Sequence, residues 1–80
     1  MNYLLKIDHI IEVLTDANAL SFSEEITEQK SSASTGSELL MTVTHRLKQM
    51  VEQNKEIEEL IGGEVHDLMA FCDSIGLRIK

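Results

Sequence analysis

Between Leu40 and Ile61 the apolar residues recur at alternating steps of three and four: Leu40, Val43, Leu47, Met50, then Ile57 and Ile61. Asn54 is the one polar residue in that series. A 3-4 repeat held over about three heptads predicts a helix whose stripe other helices must cover. An Asn inside such a seam costs stability and commonly sets register or partner number. On that reading Asn54→Ile raises stability while blurring the oligomeric state. Leu39 and Leu60 widen the stripe on one side and Val51 on the other. That breadth suits a bundle of three or four helices better than a two-stranded coiled coil.

The other elements follow from periodicity and punctuation. Asn2 is placed to cap a first helix running to about Ala19, in which Leu4, Ile7, Ile10, Ile11, Leu14 and Ala17 share a face. Asp8, Glu12 and Asp16 fall opposite. Leu5, Val13 and Leu20 lie outside the main stripe and offer a second contact face. Ser21 and Glu24 have capping-box spacing, which predicts a short helix or an extension over about 22–30. The run SSASTGS, residues 31–37, has no apolar periodicity and reads as a flexible linker or hinge. Thr35 and Glu38 form a second capping box opening the longest helix, over about 36–61 and ~38 Å long at 1.5 Å per residue. Gly62 and Gly63 are expected to end or kink it. A terminal helix over about 64–75 presents Val65, Leu68, Met69, Cys72 and Ile75, and Gly76-Leu77 fits a helix end with a hydrophobic residue folded back on the last turn. The expected fold is all-α, one small domain over 1–80. It is a helical hairpin or three-helix unit with one long central helix, completing its bundle by dimerisation.

Composition sharpens that picture. A chain of 80 residues buries little more than ~60% of its unfolded surface, so its core is thin without further support. The single Cys72 cannot form an internal disulfide, which leaves association as the expected extra source of stability. Seven basic against fourteen acidic residues give a formal charge of −7. That field repels phosphate backbones and anionic lipid, and argues against nucleic acid or a membrane as partner. Asp8, His9 and Glu12 interrupt the N-terminal apolar stretch, unlike a signal peptide, and no run approaches the ~18 apolar residues of a membrane span. With a lone reduced cysteine, the expected compartment is the cytoplasm.

Candidate chemistry is sparse. None of His9, His45 and His66 has a His or Cys three or four residues away, so no metal site and no cofactor is expected. His66-Asp67 is similar to the His-Asp pair of metal phosphohydrolases but lacks their further ligands. Cys72 falls on an apolar face as a small hydrophobe, and Asp73 beside it would raise the thiol pKa. Glu52, Glu56 and Glu59 read as a solvating stripe. In the heptad frame His45 faces outward with Lys48 three residues along, and an exposed imidazole beside a cation is what phosphoryl transfer through histidine requires. The string Thr44-His45-Arg46-Leu47-Lys48-Gln49 resembles the His-Arg-Val-Lys-Asn stretch around the phosphoacceptor of some sensor histidine kinases, with Leu47 for Val and Gln49 for Asn. The resemblance covers six residues and implies, without an ATP-binding domain in this sequence, a relay role alone. It also points to helical hairpins that pair into four-helix bundles.

The pattern as a whole predicts no enzyme. It predicts a small acidic interaction or regulatory module of adaptor, anti-factor, antitoxin or chaperone type, acting through apolar helix faces. The expected contact residues are Leu40, Val43, Leu47, Met50, Asn54, Ile57 and Ile61, with Leu5, Val13 and Leu20. Protein partners and a homodimer are expected. The alternatives are phosphotransfer through His45 with Lys48, and a structural self-assembling subunit.

Overall fold

A computed structural model describes residues 1–77 and 79. The chain forms four helices of similar length: α1 (Tyr3–Asp16), α2 (Leu20–Ser32), α3 (Gly36–Gln53) and α4 (Lys55–Ser74). The expected long central helix is absent. At ~38 Å it would exceed the molecule's longest dimension of 32 Å.

Asn54 makes the break, with φ −139° and ψ 109°. Its N–H donates to the Met50 carbonyl and closes α3, while its carbonyl accepts from the Glu58 N–H and opens α4, both at 3.0 Å. Its side-chain oxygen accepts from the N–H groups of Glu56 at 3.0 Å and Ile57 at 3.3 Å. One half-buried residue therefore caps two helices. Asn suits this task because its short amide competes for backbone donors that a helix interior would leave no use for. The ladder then folds back on itself. Leu40, Val43, Leu47 and Met50 on α3 and Ile57 and Ile61 on α4 are all buried, packed into one core with Ile7, Ile10 and Leu14 of α1 and Ile26 of α2. That core closes within a single chain.

Gly62 and Gly63 lie inside α4 rather than at a helix end. Two helical glycines cost about 1 kcal/mol each. The stripe Ile57, Ile61, Val65, Leu68 and Cys72 runs unbroken past them, and burying each such side chain returns about 1.5–3 kcal/mol. Packing outweighs propensity here.

Local signals were realised elsewhere. Asn2 caps α1 by accepting from the Leu5 N–H at 3.3 Å, and Thr35 caps α3 by accepting from Glu38 at 3.1 Å. The Ser21 cap does not form. Helix α2 begins two residues earlier, at Leu20, with Ala19 at its cap and no side-chain hydrogen bond there. The expected linker is also shorter, because Ser31 and Ser32 remain helical with hydroxyls donating to the Thr27 and Gln29 carbonyls. Helix α1 ends on Asn18 in the left-handed region at φ +64°, with Asn18 N–H to Thr15 and Ala19 N–H to Leu14 forming a Schellman motif. Helix α4 ends the same way. Gly76 sits at φ +82°, and the Leu77 N–H returns to the Cys72 carbonyl at 2.8 Å.

Neighbouring helices in the bundle follow chain order, with α4 closing against α1. Three of these four interfaces carry an ion pair among the described residues. Lys6 of α1 bridges Glu64 at 2.9 Å and Asp67 at 3.3 Å on α4, Asp8 pairs with Lys30 of α2, and Glu25 of α2 takes a forked contact from Arg46 of α3. Across the fourth interface, α3 with α4, the side-chain hydrogen bond among the described residues is the Cys72 thiol donating to the Thr44 hydroxyl at 3.8 Å. Tyr3 stacks on Phe71 with ring centroids 6.0 Å apart, and its hydroxyl lies so close to Gly36 that a Cβ there would stand 2.5 Å from it.

The Asn54 geometry reverses the sign expected of a seam Asn. Asn54→Ile removes the cap shared by two backbone donors, and stability should fall by about 1–2 kcal/mol, read as a lower midpoint in urea unfolding. A rise in midpoint would restore the seam reading.

Candidate functional site

The ten expected contact residues separate into three groups. Leu40, Val43, Leu47, Met50, Ile57 and Ile61 are at most 3% exposed and belong to the chain's own core. Asn54 is the turn cap. Of the second face, Leu5 is 64% and Leu20 47% exposed, while Val13 is half-buried against the core. The three do not form one patch. Leu5 shares its stripe with exposed Asp8, His9 and Glu12 at helical spacing, and Leu20 belongs to α2.

Other apolar side chains stand outside the core: Met1, Leu4, Met41, Leu60 and Ile75. Several converge through the fold. The Tyr3–Phe71 stack brings the start of α1 to the end of α4, and so places Met1, Leu4, Leu5 and Ile75 at the same end of the bundle. Leu60 had been expected to widen a covered seam. It is exposed because Asn54 turns α4 onto a different axis from α3. Nothing in linear periodicity marks the end patch, since it joins Met1, Leu4 and Leu5 from the start of the sequence to Ile75 near its end.

His45 is exposed on α3. It lines a groove of about 470 Å³ together with Gln29 of α2, Met41, Arg46 and Gln49 of α3, and Ile79. Lys48 is half-buried and does not line that groove. The basic group that does is Arg46, whose guanidinium is already committed to Glu25. That hydrogen bond, more than the charge attraction, raises the arginine pKa further, and partial burial works against it. No family model, no curated protein and no solved structure matches this chain.

Cys72 and Thr44 are both fully buried. Burial pushes the thiol pKa up, partly offset by the contact with the Thr44 hydroxyl. The cause is desolvation rather than the neighbouring Asp73. A protonated thiol with no exposed surface is a poor nucleophile. His9, His45 and His66 occupy separate helices, α1, α3 and α4. Among the described residues no three His, Cys, Asp or Glu side chains converge to hold a metal ion. Asp67, beside His66, is engaged by Lys6. The pKa of Lys6 is raised, chiefly by its hydrogen bonds to Glu64 and Asp67. A raised folded-state pKa means this pair stabilises the fold below the ordinary lysine value of 10.5 and is lost only as pH climbs past the raised one. No described helix is long and apolar enough to cross a membrane.

The Thr44–Cys72 contact is a weak hydrogen bond between two fully buried side chains. Thr44→Val keeps the shape and removes a hydroxyl whose side-chain partner, among the described residues, is a thiol, so stability should hold within about 1 kcal/mol or rise. Cys72 should stay unreactive to a thiol reagent in the native state of both proteins and react fully on unfolding. Rapid native labelling would show that the α3–α4 interface opens.

Proposed function

We propose that this chain is a small, acidic, non-catalytic protein–protein interaction module, of the adaptor, anti-factor, antitoxin or chaperone kind. It engages its partner through apolar side chains left outside its core. The observation that carries the reading is the end patch. Met1 is 57%, Leu4 42%, Leu5 64% and Ile75 52% exposed, and the fold gathers them at one end. Exposed apolar side chains gathered at one end of a fold are what interaction sites use. The net charge of −7 adds long-range attraction for a basic partner. A core that closes within one chain does not need a second copy, which weighs against the self-assembling subunit. The proposed compartment is the cytoplasm.

The double variant Leu5→Lys with Ile75→Lys changes the patch without touching the core, and surface changes of this kind cost little stability, about 0.5 kcal/mol or less each. Its thermal midpoint should match the parent within a few degrees, while proteins that co-purify with the parent from its native source are lost. Retention of every such protein by the folded variant would overturn the patch. Light scattering at micromolar concentration should give a monomer, and a stable dimer would favour the self-assembling reading.

A second reading is a phosphoryl relay through His45, supported by its exposure on a helix of a four-helix bundle. In that step the phosphoryl group leaves a receiver-domain aspartyl phosphate and bonds to an imidazole nitrogen, as the ring N–H proton is released. Lys48 would supply charge only after its half-buried side chain swings toward the groove. Incubation with a phosphorylated receiver domain should then leave an acid-labile label on the parent and none on His45→Gln. An unlabelled parent ends this reading.

A further inference from the structure

Helix α2 contributes least to the shared core. Its buried residues are Ser23 and Ile26, against three on α1, six on α3 and five on α4. Ile26 is the one fully buried aliphatic side chain among its 13 residues, and half-buried Phe22 packs beside the core. The helix is also weakly set in itself. Ala19 at its start supplies no side-chain cap. The hydroxyls of Ser23, Thr27, Ser31 and Ser32 each donate back to a carbonyl three or four residues earlier, a pattern that slightly weakens and bends helices.

Charge fastens α2 on both flanks. Lys30 pairs with Asp8 of α1, and Glu25 with Arg46 of α3. All four of these side chains keep part of their surface in solvent, where salt screens such pairs. The other three helices hold together without α2. Lys6 with Glu64 and Asp67, and Tyr3 stacked on Phe71, tie α1 to α4, while α3 packs on α4 directly across the Asn54 turn.

The connections leave room for α2 to move. Residues 17–19 precede it and residues 33–35 follow it. Extended, those six residues reach ~20 Å, and the helix itself adds ~20 Å. The lifted segment then exceeds the longest dimension of the molecule, 32 Å, so α2 can leave without pulling α1 from α3.

We propose that α2 is a salt-sensitive latch: it lifts as one unit from a remainder of α1, α3 and α4, turning at residues 17–19 and 33–35, and vacates the seat that Ile26 fills. Asp8 and Arg46 lose their partners in the same step. Ionic strength thereby sets how often the seat stands open. The latch is separate from the end patch, which lies on the start of α1 and the end of α4.

Native-state hydrogen exchange on the full chain tests this, under conditions where exchange reports the opening equilibrium. The amides of Thr27, Glu28 and Gln29 should share one opening constant, at least about tenfold above those of Leu47 in α3 and Leu68 in α4. Raising salt from about 20 mM to about 500 mM should increase α2 opening roughly two- to fivefold relative to Leu68, and Glu25→Gln should do the same at low salt. Amides of α2 that open no more often than Leu47 and Leu68 would overturn the latch. So would constants graded inward from the helix ends, which mark fraying rather than a unit. Salt or Glu25→Gln changing α2 and Leu68 alike, or neither, would overturn the role of the charge pairs; the salt arm needs no variant to fold.

Discussion

The fold depends on the pair of hydrogen bonds that the Asn54 side chain accepts from Glu56 and Ile57. With only this residue between α3 and α4, no loop length exists to absorb error. The cap decides whether the ladder is one stripe seeking outside cover or two stripes that cover each other. Backbone donors at a helix start are obligatory hydrogen-bonding groups. Satisfying them at residue 54 makes the turn a defined state rather than a fray. Everything downstream uses that direction, including the Thr44–Cys72 contact and the closure of α4 against α1 by Lys6.

The four helices are not equally held. Helix α3 buries Leu39, Leu40, Val43, Thr44, Leu47 and Met50, whereas α2 buries only Ser23 and Ile26. Helix α2 is kept in place by Ile26, half-buried Phe22 and two ion pairs, Lys30 with Asp8 and Glu25 with Arg46. Partly exposed pairs like these contribute about 0–1 kcal/mol each. They fix register more than they add stability. Among the helices, α2 is the one whose opening costs least, and it supplies Gln29 to the groove on α3.

What was legible in the sequence was local. Asn2, Thr35 and Gly76-Leu77 act as caps within a few residues of themselves, and each was readable from spacing alone. So were the buried positions Ile7, Ile10 and Leu14, although Leu4, placed on the same face, is exposed. Asn54, Gly62 and Gly63 were misread for one reason. A seam Asn and a capping Asn have the same neighbours in sequence, and a Gly pair can end a helix or sit inside one; long-range burial decides between them. Ser21 and the run 31–37 show the converse, since hydroxyls that suit turns can also bond back within a helix, as Ser31 and Ser32 do. The groove at His45 was beyond reach, because Gln29, Met41 and Ile79 are joined only by the fold.

The same turn also changes what the heptad pattern means for association. A stripe of this regularity invites the inference that the chain needs a partner helix, yet each apolar ladder residue is buried inside one molecule. Regular 3-4 spacing records that a helix is covered, not which chain covers it. In an 80-residue chain a helix can be covered from within only if the chain turns sharply enough to return. A one-residue connection is the most economical way to do so, because each further loop residue adds ordering entropy without burying apolar surface. Economy in the turn leaves side chains for which the core has no room. Leu5, Leu60 and Ile75 are among the side chains left exposed, so the apolar surface that stays free on this chain lies with such residues and not with the buried ladder.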